Sequence, residues 1–277
     1  MAFLSYLIGG LGLGSVYAII ALGYSMVYGI AKMLNFAHGD VIMVGAFVAY
    51  FALSSFGLPA IVALILSVVA CTVLGIVVEK LAYKPLRGAS SLSVLITAIG
   101  VSYFLQNAAM LMWGTDTKIF PTVLEGSLTI GELSIPYLTL LTILSCIVIM
   151  VVLTMFINKT KTGRAMRACS EDKGAASLMG INVNQIISIT FAIGSGLAAI
   201  AAVLLCATYP SVYPTLGSMP GIKAFTAAVL GGIGSIPGAF LGGLLLGVIE
   251  NLARAYISTQ LSDAIVFMVL IVILLIK

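Results

Sequence analysis

Phe3–Leu22, Ala60–Val78, Leu92–Trp113, Ile135–Ile157 and Ile186–Ala207 each run for about twenty residues without a charged side chain. That is the length a helix needs to cross the hydrocarbon of a bilayer. Water is a poor solvent for such a chain. Of its 277 residues 61% are hydrophobic and only 8% are charged, against about 25% charged in soluble domains. A spanning segment must satisfy its own backbone groups, which favours helices. The expected fold class is therefore an all-α polytopic membrane protein. Three more apolar segments, Val41–Leu53, Lys223–Glu250 and Ala264–Ile276, bring the expectation to about eight transmembrane helices. Two of these are interrupted or re-entrant, and a single transmembrane domain covers residues 1–277.

The first run has no Lys or Arg before Lys32. It lacks the basic start of a signal peptide and reads as a retained first helix. Its Gly10 and Gly14 form a small-xxx-small pair suited to close helix contact. Cys71, Cys146, Cys169 and Cys206 make no CxxC pair and no metal spacing, so they read as apolar packing residues. No metal site is expected. The net charge of +4 is no nucleic-acid signal, because the basic residues sit in short loops.

Those loops orient the chain. Glu79–Ser91 and Asn158–Gln185 hold eight of the 13 Lys and Arg, which places both in the cytoplasm by the positive-inside rule. Gly114–Ser134 carries Asp116, Glu125 and Glu132 against Lys118 alone, and Tyr209–Pro220 has no basic residue. Both go outside, and alternation puts the N-terminus outside too. The side of Lys277 depends on whether Lys223–Glu250 crosses once or folds back.

Two apolar segments are broken by glycine, proline and polar residues: Tyr24–Asp40, whose polar part is Asn35–Asp40, and Gly231–Gly238, which reads GGIGSIPG. Helices break at such composition. The freed backbone groups must face protein or a water-filled path, never lipid. Paired interruptions in two halves of a chain point to a solute path, with helix N-termini offered to an anionic group. The candidate substrate path is Asn35, His38, Gly39, Gly231, Gly232, Gly234 and Pro237. His38 is expected to satisfy carbonyls freed at its break. Asp40 suits a helix start, and solute contact is the other role open to it. Glu250 and Arg254 read as a surface pair four residues apart.

Asn158–Gln185 reads NKTKTGRAMRACSEDKGAASLMGINVNQ, the longest polar stretch in the chain. It is either an anchoring loop or a docking surface. There is no G-x-x-x-x-G-K-[ST], no HExxH, no GxSxG, and one histidine. Nothing here holds ATP phosphates or builds a hydrolytic site. The chain is not expected to be an enzyme, and any ATP that drives it must be bound by a separate subunit.

Gly163-Arg164-Ala165-Met166-Arg167-Ala168, followed by Ala175-Ala176 and Met179-Gly180-Ile181-Asn182, resembles the cytoplasmic coupling loop of the LivH/LivM-type permeases of branched-chain amino acid ABC importers. Tyr28-Gly29, Asn35-Phe36-Ala37-His38-Gly39-Asp40 and Gly231–Ala239 are similar to the LivH-type member. Near Gly174, where the family pattern often has an acid, this chain has Lys173 with Glu171 and Asp172 before it. The resemblance implies a permease subunit in a bacterial or archaeal plasma membrane, importing branched-chain amino acids by alternating access. It implies partners: a related permease forming a homo- or heterodimer, two ATPases holding ATP and magnesium, and an extracytoplasmic solute-binding protein. Membrane lipid surrounds the chain, and no nucleic acid is implied. The implied coupling loop is 158–185, with Gly163, Arg164, Arg167, Ala175, Ala176 and Gly180 at the ATPase. Ala165, Met166, Ala168, Ala175, Ala176, Leu178 and Met179 are expected to form its apolar face. Import of urea or short amides is the alternative within the family. An ion-coupled secondary transporter is the rival outside it.

Overall fold

A computed structural model describes residues 2–130 and 133–276. Its helices are α1 (Ala2–Ala31), α2 (His38–Ser54), α3 (Ala60–Val78), α4 (Ser91–Trp113), α5 (Tyr137–Lys159), α6 (Lys161–Glu171), α7 (Lys173–Leu178), α8 (Val183–Thr208), α9 (Ser218–Gly231), α10 (Ile236–Tyr256) and α11 (Ser262–Ile276). A π-helical turn, Glu79–Tyr83, and a tighter one, Lys84–Leu86, extend α3. The all-α polytopic class holds. Six helices are by themselves long and apolar enough to cross a membrane, and α2 and α11 are shorter apolar helices. A small antiparallel hairpin, β1 (Ser127–Ile130) and β2 (Leu133–Pro136), pairs Ser127 with Pro136 and Leu128 with Ile135. It lies in the acidic segment, so α5 starts at Tyr137 rather than at Ile135. Glu132 of that segment and the terminal Lys277 lie outside the described residues.

The apolar runs sort into inner and outer helices. Of the most apolar stretch of α8, 72% is buried, against 17% for α4. Small residues, among them Gly194, Ser195, Ala198, Ala199, Ala201 and Ala202, let α8 sit at the centre. The outer helices α3, α4 and α5 leave side chains such as Ile65, Val69, Phe104, Leu111 and Val152 uncovered, as suits surfaces that face lipid.

The most extensive packing is between α1 and α10, which run antiparallel. A Cβ on Gly247 would lie 2.1 Å from Gly14 Cα, and one on Gly10 would lie 2.9 Å from Val248 Cα. The Gly10–Gly14 pair therefore does what its spacing promises, against a matching pair, Gly243 and Gly247, on α10. All four cysteines are buried and unpaired.

One expectation is overturned. Glu250 is not on the surface: it is fully buried, and Arg254 pairs with it there. A second cation, Lys223 of α9, reaches Glu250 at 2.8 Å and Asp263 of α11 at 2.6 Å. The three helices α9, α10 and α11 are thus tied by one charge cluster. The reason is economy of burial: a carboxylate inside an apolar bundle is tolerated when cations and hydrogen bonds surround it.

A Gly247→Val change should cost about 3 kcal/mol of stability by forcing α1 from α10. Gly100 on α4 has nothing within 4 Å of an added Cβ, and Gly100→Val should stay within about 0.5 kcal/mol. Thermal melting of the two variants in detergent tests this, and equal midpoints would refute the packing argument.

Candidate functional site

The break after α1 is shorter than its sequence indicates. Helix α1 continues through Tyr24–Ala31, and α2 already begins at His38, which leaves residues 32–37 irregular. The stretch Tyr24–Ala31 stays helical because the second break supports it. Ser25 Oγ accepts the Gly234 N–H at 2.8 Å, and Gly29 packs against Gly234. Lys32 leaves the helix at φ +57. Asn35 is buried; its Oδ1 accepts the Tyr83 hydroxyl at 2.8 Å, and its carbonyl accepts the His38 N–H at 3.1 Å. Asn35 thus ends the break and starts α2. His38 plays another part than expected. Its ring lies edge-on to Tyr24, with centroids 4.6 Å apart, and fills the space beside Gly23. Its buried Nε2 has no hydrogen-bond partner among the described residues, so it does not satisfy a carbonyl of the break.

The second break is a tight helical hairpin. Gly231 and Gly238 touch backbone to backbone: a Cβ on Gly231 would lie 1.9 Å from the Gly238 carbonyl oxygen. Gly232 and Gly234 have φ of +89 and +97, which side-chain-bearing residues rarely adopt. Ser235 caps α10 by accepting the Gly238 N–H at 3.2 Å, and Pro237 sits in the first turn, where no N–H is missed. The two breaks meet at the end of α1, where Asn35 and Ile233 line one small crevice. Gly234 and Pro237 also line a larger cleft of about 600 Å³ that reaches Arg167 and Glu171 of α6.

Gly39 lies elsewhere. It touches Gly217, the residue before α9, so closely that a Cβ on Gly217 would sit 1.7 Å from the Gly39 carbonyl oxygen. The starts of α2 and α9 therefore abut, and no side chain caps either. Beside them is a cavity of about 460 Å³ lined by Asp40, Ser102, Gln106, Ser218 and Gly221, with Leu95, Ile99 and Ile222 on its apolar side. Gln106 Nε2 donates to Asp40 Oδ1 at 2.9 Å. This mix of a few convergent polar groups on an apolar wall is typical of a small-molecule site.

The polar island folds as a two-helix platform. Thr160 caps α6 by accepting the Gly163 N–H at 2.9 Å. A Cβ on Gly163 would lie 2.4 Å from Ile157 Cα, so only glycine lets α6 fold back on α5. Asp172 caps α7 by accepting from Gly174 and Ala175. Gly180, at φ +83, ends α7, with the Ile181 N–H donated to the Ala176 carbonyl at 3.0 Å. Every third residue of α6, Gly163, Met166 and Cys169, is buried, while Arg164 and Arg167 are exposed. The expected single apolar face is split. Met166 and Ala176 pack inward on Ile30 and Ile186, whereas Ala175, Leu178 at 90% and Met179 at 83% are exposed.

Lys173 joins platform to bundle. Its ammonium donates to the Ala31 carbonyl, the last of α1, at 2.6 Å, a favourable place for a cation. Burial first, then the charges of Arg87 and Lys32, pull its pKa below the ordinary lysine value. Burial also pushes the Cys169 thiol up, away from reactivity. Nearby, the fully buried Glu79 pairs with Arg87 and accepts the Ser188 hydroxyl at 2.6 Å, and Arg87 donates to Asn184 as well. Among the described residues no group of three or more His, Cys, Asp or Glu could hold a metal.

Residues 6–274 match the family described as "Branched-chain amino acid transport system / permease component". The chain belongs to this permease family. It is 47% identical over 288 residues to the high-affinity branched-chain amino acid transport system permease protein BraD of Pseudomonas aeruginosa, covering 99% of this chain and 94% of that one. It is 42% identical over 287 residues to the corresponding permease protein LivH of Escherichia coli K12, covering 99% and 93%.

Three polar arrangements of this permease escape sequence reasoning: Asn35 with Tyr83, Glu79 with Arg87 and Ser188, and Lys223 with Glu250 and Asp263. A lone lysine in an apolar run is a signal for the last, but Lys223 looks like a segment boundary. Tyr83→Phe and Asn35→Ala should each lower stability by about 1–3 kcal/mol by stranding a buried partner. The double variant should fall short of the sum by about 1 kcal/mol. Additive losses in thermal melts would show that the bond does not hold the break.

Proposed function

We propose that this chain is the membrane-spanning permease subunit of an ATP-binding-cassette importer for branched-chain, hydrophobic amino acids. The match over residues 6–274 carries the reading, and the names of BraD and LivH give the solute class. The cavity fits that class better than urea, since Leu95, Ile99 and Ile222 give an aliphatic side chain an apolar wall.

Helix α2 starts beside Gly23, about 12 Å back along α1 from its end, so the chain re-enters before α2 runs on. Helices α2 and α11 then join the six long ones to make about eight crossings, and α9 is the half-helix of the second interruption. The bridge between Lys118 and Val212 holds 114–126 and 209–217 on one side. The basic loops lie on the other, cytoplasmic, side, and the N-terminus lies outside the cell.

The partners are two ATPases that bind ATP with magnesium, a related permease and an extracytoplasmic solute-binding protein. The exposed Leu178 and Met179, on the platform that also exposes Arg164 and Arg167, are the natural knobs for an ATPase groove. Docked there, an ATPase would move α7, and with it Lys173 and the end of α1.

Reconstituted with those partners, the permease should take up leucine when ATP is supplied, and excess urea should not compete. Competition by urea would move the solute class, and uptake driven by an ion gradient without ATP would refute the importer. A Leu178→Ser/Met179→Ser double variant should weaken ATPase co-purification about tenfold or more, since each buried apolar side chain is worth more than 1 kcal/mol. Undiminished co-purification would refute the docking surface.

A further inference from the structure

Among the described residues three carboxylates are almost wholly buried: Glu79 and Glu250 at 0% exposure and Asp40 at 1%. Two of them hold cations, Arg87 for Glu79, and Lys223 with Arg254 for Glu250. Among the described residues Asp40 has no ion pair. The donor that reaches it is the neutral amide of Gln106, at 2.9 Å, and Gln106 also contacts the hydroxyls of Ser102 and Ser218 at 3.3 Å. A buried carboxylate without a countercharge is costly in a bundle of this polarity. Asp40 borders an open space, the cavity of about 460 Å³ whose lining includes the exposed Ile99, Tyr103 and Ile222.

We propose that the missing cation is the solute itself, and that Asp40 binds the primary ammonium group of a zwitterionic amino acid in this cavity. This rests on the reading of the chain as an amino acid permease. The rest of the cavity then has a use for each part of such a solute. The ammonium meets Asp40 and the hydroxyls of Ser102 and Ser218. The carboxylate lies at the uncapped start of α9, a helix long enough to present a positive end. The aliphatic side chain lies against Leu95, Ile99 and Ile222. Close contact of Gly39 with Gly217 keeps the ammonium and carboxylate positions a few ångströms apart, as an α-amino acid requires. Asp40 thus sets selectivity for solutes with a free amine, and the apolar wall sets it for branched side chains.

The test uses the complete importer with its binding protein and ATPases in proteoliposomes. Wild-type uptake of leucine comes first, and its absence would count against the transport reading rather than against Asp40. Asp40→Asn should lower leucine uptake at limiting solute by about tenfold or more, the equivalent of 1.4 kcal/mol. Asp40→Glu should recover part of it, and the ATPases should stay bound in both. Full uptake by Asp40→Asn would overturn the proposal.

If Asp40→Asn fails to assemble, a Ser218→Cys variant with Asp40 intact decides, because the four native cysteines are buried. A cationic methanethiosulfonate should label Cys introduced there about tenfold faster than an anionic one of similar size, roughly the factor that 1.4 kcal/mol confers. Turnover with leucine should slow the labelling. Equal rates for the two reagents, or labelling blind to leucine, would overturn the proposal. Equal protection by sodium without leucine would also overturn it, in favour of an inorganic cation.

Discussion

A helix that stops inside an apolar layer leaves backbone N–H and C=O groups without water, and each one stranded there costs several kcal/mol. The rest of this structure follows from how two such stops are resolved. At the hairpin between α9 and α10, the answer is compression. Glycines at 231 and 238 let the two helices touch, positive φ at Gly232 and Gly234 closes the turn, and Ser25 takes the Gly234 N–H. At 32–37 the answer is borrowed side chains. Lys173 takes the last carbonyl of α1, and Tyr83 fixes Asn35 so that α2 can begin. The first solution is self-contained. The second depends on α7 and on the turn after α3, so it is the one that a movement elsewhere can alter.

Charge burial follows the same rule with larger stakes. Glu250 and Glu79 are kept by drawing cations from other helices or turns, which ties α9, α10 and α11 in one case and the extension of α3 to α8 in the other. Where a carboxylate borders a cavity instead, the donor that the described residues supply is a neutral amide. The difference separates ions that hold the fold from one left available to a ligand.

The elements were largely legible in the sequence, because length without charge and the positions of glycine and proline report directly on backbone chemistry. The all-α class, the pair Gly10 and Gly14, the burial of the cysteines and the location of both breaks came from residue type alone. Boundaries failed where tertiary support decides. Tyr24–Ala31 stays helical because Gly234 and Ser25 meet it there, and no local signal announces that. The same blindness misplaced Glu250 and Arg254: spacing by four is common to surface pairs and to buried ones, and only Lys223, 27 residues away, tells them apart. The cavity was the least legible part. Asp40, Gln106 and Ser218 come from α2, α4 and α9, and nothing in their local sequence says that those three helices converge.

In the proposed importer, where the motion comes from a partner's ATP, the path of that motion matters more than the strength of any one contact. Helix α6 is locked to α5 through Gly163, where the backbones leave no room for a side chain. Helix α7 is joined instead by a single ammonium to the end of α1 and by small apolar contacts to Ile30 and Ile186. A push on the platform is therefore passed to α1, not absorbed between α6 and α5. Helix α1 cannot slide alone, since Gly10 and Gly14 interlock with Gly243 and Gly247 of α10. The two helices must move as one body, and rigid elements that shift together are how small displacements are carried across a packed interior. What lies on either side of that body is the deformable segment 32–37 and the abutting starts of α2 and α9. A displacement of α1 against α2 would open or close the contact of Gly39 with Gly217, and the cavity beside it would change with that contact.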